Sequence, residues 1–119
     1  MTMKKILLLA GTAISMACTA NVWAGGDVNE GKAAVEKFGC AACHGIDFKS
    51  PIDPSYPKLA GQHQEYLEHA LVAYRRAGGV ANGRVNAIMN GQAKQLTDKD
   101  IANITAYVSS LPGSLVLQK

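Results

Sequence analysis

Cys40-Ala41-Ala42-Cys43-His44 sets two thiols three positions apart with an imidazole directly behind the second. This is the C-x-x-C-H pattern through which a c-type haem is attached. Two thiols at that separation reach the two vinyl groups of one porphyrin, and the adjacent imidazole then lies beneath the iron. Two other chemistries compete for the same residues. A redox-active dithiol wants a thioredoxin-like alternation of strands and helices, which this chain lacks. A zinc site wants four ligands, yet no second cysteine pair follows, and His63 and His69 stand six positions apart. Haem attachment is the reading favoured by the spacing.

The two cysteines of the motif are the only ones expected in the mature chain. Residues 1–24 begin with Lys4 and Lys5, run through the apolar stretch Ile6 to Ala17 and end in Val22-Trp23-Ala24. That is the basic, apolar and small-residue order of a secretory signal peptide. The apolar run is short for a retained span of about 20 residues, and nothing after Gly25 could cross a bilayer. Export would take the protein where unprotected thiols are oxidised. Cys18 raises a lipoprotein alternative, but Ser15-Met16-Ala17 lacks the large aliphatic residue wanted three positions upstream. Removal of the leader leaves residues 25–119 as one domain. The formal charge of +3 then falls to near balance, ten basic residues against nine acidic ones. That gives no electrostatic case for nucleic acid binding.

The elements that must position the motif read as helices. Asp27-Val28-Asn29-Glu30 reads as a capping box and predicts a helix to about Phe38, stopped by Gly39. Its face of Gly31, Ala34, Val35 and Phe38 delivers Cys40 to the haem. Pro51, Pro54 and Pro57 make Ile46 to Lys58 a loop over one haem edge. Gln64 to Ala77 carries Leu67, Ala70, Leu71 and Tyr74 at helical spacing and ends at Gly78-Gly79, so those residues should wall the haem pocket. Thr97-Asp98-Lys99-Asp100 opens a last helix with Ile101, Ile104, Ala106 to Val108 and Leu111 as its apolar surface, closed by Pro112-Gly113. Arg75, Arg76 and Arg84 are candidates to pair with haem propionates, since guanidinium suits carboxylates. No alternating strand runs or internal repeats are evident.

The chain resembles the class I cytochromes c, particularly the small soluble bacterial ones and single domains of diheme cytochromes. The likeness rests on Cys40 to His44, on Tyr56-Pro57-Lys58-Leu59-Ala60-Gly61-Gln62, on Tyr66-Leu67 with Leu71 and Tyr74, and on Leu96 to Ile101 leading to Ala106-Tyr107. It implies an all-α cytochrome c fold, three to five helices wrapped around one covalent haem c, with the first and last helices crossing tightly at Gly31. It also implies a downstream methionine as sixth ligand. Met1, Met3 and Met16 lie in the leader, so Met89 is left, with His63 and His69 as rivals. The family's second contact to the proximal histidine, carried over, makes the Pro57 carbonyl the acceptor for His44. Tyr56, Leu59, Leu71, Tyr74 and Arg84 complete the expected cofactor contacts.

The implied function is a periplasmic electron carrier rather than an enzyme, docking transiently on redox donors and acceptors as a monomer or weak dimer. His/Met ligation would raise its potential. The alternative is a haem c subunit of a larger periplasmic oxidoreductase. A catalytic or gas-sensing haem would need an open iron position, against which Met89 argues.

Overall fold

The computed structural model describes residues 25–79 and 81–114, so the expected leader, with Cys18, lies outside the described residues. Within them the regular structure is entirely helical: α1 Val28–Lys37, α2 Ala41–His44, α3 Gln64–Arg76, α4 Ala87–Lys94 and α5 Asp98–Ser110. None of these helices is long and apolar enough to cross a membrane.

Local chemistry explains where α1 begins and ends. The Asp27 carboxylate accepts from the Glu30 amide, satisfying a donor that has no partner inside the helix. At the other end Gly39 takes φ +68°, a conformation that costs glycine little. The Cys40 N–H donates to the Val35 carbonyl at 3.0 Å, and that of Gly39 to Glu36 at 3.2 Å. Those two bonds form a Schellman turn, and Cys40 is its last residue. The helix stop thus fixes the first attachment residue in space.

The largest helix–helix contact is α1 against α5. A Cβ on Gly31 would overlap the Asn103 carbonyl and press on Tyr107, so the backbones can approach this closely only with glycine there. Asn103 is buried in the crossing; its Oδ1 accepts from the Asp27 amide and its Nδ2 donates to Glu30, both at 2.8 Å. Glu30 also pairs with Lys99 at 2.9 Å. The polar atoms removed from water are therefore partnered.

Helix α5 starts at a reciprocal capping box between Thr97 and Asp100. Its inner face joins Ile101, Ile104 and Val108 to Val35, Phe48 and Leu67 in one core. Phe48, only 2% exposed, adopts φ +55°, a strained choice for a residue with a side chain. Its carbonyl accepts from Leu59 and Ala60 at 2.7 and 2.9 Å, and its ring meets Tyr107 edge-on at 6.3 Å. That ties the 46–58 loop to the crossing.

Helix α3 ends one residue before the Ala77 boundary expected from sequence. Ala77 itself carries φ +60° at the cap, and Gly79 follows with φ +99°. Helices α2 and α4 bring the count among the described residues to five, the upper end of the expectation, and neither was placed individually by its periodicity.

Candidate functional site

Cys40, Cys43 and His44 stand at the i, i+3 and i+4 positions of a single turn, so their side chains share one face. Both cysteines are half-buried and not bonded to each other, and burial raises the Cys40 pKa, with Cys43 adding to the effect. A redox-active dithiol requires the reverse, a thiol whose pKa is lowered. The shift at Cys40 runs opposite to the one a reactive dithiol needs. Among the described residues no cluster of three or more His, Cys, Asp or Glu side chains could hold a metal ion.

His44 is 7% exposed. Its Nδ1 lies 3.2 Å from the Pro57 carbonyl oxygen. A carbonyl can only accept, so Nδ1–H is the donor and the lone pair is left on Nε2, the nitrogen free to bind a metal. Burial lowers the His44 pKa, partly offset by the Pro57 contact; the neutral, ligating form is the one favoured. The loop is pinned back onto the same turn, with the Ile52 amide donating to the Cys43 carbonyl at 3.1 Å. Tyr56 sits beside His44, ring centroids 6.4 Å apart.

Above these residues lies a cavity of about 400 Å³, within the range of roughly 300–1,000 Å³ that cofactor sites occupy. Cys40, Cys43 and His44 line it from α2, and Tyr56, Pro57 and Leu59 from the loop. Leu67, Leu71 and Tyr74 contribute from α3, Arg84 from the α3–α4 connection, and Met89 from α4. Ile104, Thr105 and Val108 close it from α5. The donor set fits a covalent haem: two thiols and a metal-ready imidazole open into a largely apolar cavity that also receives one thioether. Of the residues expected to contact the cofactor, all but Arg75 and Arg76 lie on its wall.

His63 and His69 are exposed and do not line it. Of the three arginines, Arg75 is engaged elsewhere, donating to the Leu96 carbonyl at 3.1 Å and pairing with Asp98 at 2.5 Å. Arg76 is exposed and does not line the cavity. Arg84 alone remains at the cavity, its guanidinium 5.6 Å from the ring centres of both Tyr66 and Tyr74.

Sequence reasoning missed Phe48 and Thr105. Thr105 is 1% exposed and spends its hydroxyl on the Ile101 carbonyl at 2.8 Å, with the Glu68 carboxylate 3.3 Å away. A threonine in a helix gives no sign of that burial; its place four residues after Ile101, on the apolar face, is the one available signal.

The Cytochrome c family model matches residues 28–112. The chain is 46% identical over 79 residues to cytochrome c-554(548) of Halomonas halodenitrificans, covering 66% of this chain and 92% of that one. It is 36% identical over 113 residues to cytochrome c4 of Stutzerimonas stutzeri, covering 91% of this chain and 52% of that protein. The crystal structure of reduced recombinant cytochrome c4 from Pseudomonas stutzeri superposes with a TM-score of 0.65 at 38% identity, over 76% of this chain and 48% of that one. The chain thus spans about half the length of the cytochrome c4 relatives.

Proposed function

Because the chain belongs to the cytochrome c family, we propose that it is an exported monohaem electron carrier of the periplasm with His44 and Met89 as axial ligands. Haem c, held covalently through Cys40 and Cys43, supplies an iron centre that gains and loses one electron. The chain's own residues make that exchange reversible. Pro57 fixes the tautomer and orientation of His44 and raises its basicity. Met89 offers a soft thioether, which favours the reduced metal and so a high potential. The α3 and α5 walls keep water out, which limits the reorganisation that accompanies a change of charge.

The observation that carries this reading is the convergence of the His44 imidazole and the Met89 side chain on one cavity from different elements. Tyr66 and Ile88 line the cavity while remaining 50% and 52% exposed. They mark the rim at which donor and acceptor proteins would approach, through the small contacts typical of redox encounters. The near-balanced charge after leader removal predicts docking with little salt dependence.

The test is an optical spectrum of protein matured in the periplasm, oxidised and reduced, beside Met89→Ala. Wild type shows a far-red sulfur-to-iron charge-transfer band and resists carbon monoxide; the variant loses the band and binds the gas. A wild type without the band that binds carbon monoxide readily would replace the carrier with a sensing or catalytic haem. The mass of the secreted product, beginning at Gly25 and carrying one haem, checks the leader.

A further inference from the structure

Met89 lies in the first turn of a helix too short to hold its own position. α4 is eight residues long with Gly91 inside it, five of its residues are exposed and Ala93 alone is buried, which gives it little core of its own. Its placement comes instead from two asparagines. Asn86 caps the helix, accepting from the Met89 amide at 3.0 Å. The Asn86 amide in turn donates to Asn90 Oδ1 at 2.8 Å. Asn90 Nδ2 then reaches out of the helix, donating to the Tyr74 carbonyl at 2.6 Å and to the Arg84 carbonyl at 2.9 Å.

One amide thus uses its acceptor and both donors to join three pieces of chain: the end of α3, the connection at Arg84 and the start of α4. The Arg84 amide closes the junction by donating to the Ala73 carbonyl at 3.0 Å. Asn90 does not line the cavity. Its effect must pass through the residue beside it.

We propose that Asn90 is a positioning residue for the sixth ligand: its three side-chain hydrogen bonds hold α4 against α3 so that the Met89 thioether stays at the metal. The proposal rests on the reading of Met89 as that ligand. Only a side chain with one acceptor and two donors at this reach satisfies all three partners. Aspartate, of the same shape, would turn an oxygen toward two carbonyl oxygens and repel them. Alanine would leave three groups to find water.

The experiment compares holoprotein of Asn90→Asp, Asn90→Ala and the milder Asn90→Ser with Met89→Ala and with Asn103→Ala. Asn103 is a control of similar chemistry, a buried amide bridging α1 and α5 away from the cavity wall. Three quantities are read: the far-red band, the rate of carbon monoxide binding to the ferrous protein, and the thermal midpoint.

The Asn90 variants should weaken the band and speed carbon monoxide binding by about tenfold, the scale set by losing a hydrogen-bonded clamp, with Asp the most affected and Ser the least. Asn103→Ala should lower the thermal midpoint with band and gas binding as in wild type. Asn90 variants that lose thermal stability yet keep the wild-type band and gas-binding rate would overturn the proposal and leave Met89 ligation standing. A wild type that binds the gas as fast as Met89→Ala would instead overturn the ligand reading, and this one with it. Asn90→Ser keeps the comparison open if Asn90→Asp does not mature.

Discussion

On the α2 side of the cavity, Cys40, Cys43 and His44 sit within one turn, placed by a Schellman stop at Gly39 and braced by Pro57 thirteen residues later. On the α3–α4 side, Met89 depends on Asn86 beside it and, through Asn90, on Tyr74 sixteen residues earlier. The first arrangement is local and, once haem is attached, covalent. The second is assembled from contacts between separate elements and is only as firm as a few hydrogen bonds, each worth about 1 kcal/mol net. With attachment confined to the α2 side, a shift on the α3–α4 side would not release the cofactor.

The comparison breaks most completely at the thiols. Cys43→Ala, made in the full-length chain, should abolish normal two-point attachment and most of the accumulated holoprotein; acid–acetone extraction of the pigment, with haem staining on a denaturing gel, checks it. Met89→His is the counterpart on the other side. It should leave attachment intact while lowering the midpoint potential by on the order of 0.2 V, part of the ~0.8 V that axial ligation spans, as redox titration would show. Equal losses of covalent haem in the two variants would remove the distinction.

The frame common to both sides is probed by Gly31→Ala. Alanine ordinarily favours a helix by about 1 kcal/mol over glycine. Here its Cβ would overlap the Asn103 carbonyl, and overpacking against backbone should reverse the sign, costing about 2 kcal/mol. Denaturant unfolding followed by circular dichroism measures it. The far-red band should persist in the folded fraction, because α1 and α5 cross away from Met89.

What the sequence made legible follows the same division. The attachment turn, the caps of α1 and α5 and the faces of α1, α3 and α5 depend on residues a few positions apart, and Asp27, Gly39 and Thr97 announce them. The Pro57 contact to His44 and the place of Met89 on the cavity wall were reachable only through family likeness, since nothing near either residue announces them. Asn103 and Asn90 were not legible at all. The partners of Asn103 lie 73 and 76 residues away, and an asparagine inside a helical stretch reads as surface until the crossing exists. Helix α4 escaped for a related reason: its short polar sequence around Gly91 has no stripe of apolar residues to announce a period. Arg75, a reasonable partner for a propionate by charge alone, found Asp98 instead because the end of α3 meets the start of α5.

That meeting point gives the smallest effect and the finest test of the frame. Asp100 accepts from the Thr97 hydroxyl and amide at 2.7 and 2.9 Å, and these hydrogen bonds, the hydroxyl first, hold its carboxyl pKa below the ordinary value. A carboxylate favoured by folding stabilises the protein fully above its unfolded pKa, and that contribution fades as pH falls through the lower folded value. Thermal midpoints should therefore drop on acidification below about pH 4. Asp100→Asn should flatten that part of the profile and cost about 0.5 kcal/mol at neutral pH, small because the cap is open to solvent. Thioether attachment on the α2 side is indifferent to this proton, so covalent haem should stay constant across the same titration. Any acid-dependent weakening of the far-red band in wild type that Asp100→Asn abolishes would show that the start of α5, through Arg75 and Asp98, also steadies the α3–α4 side.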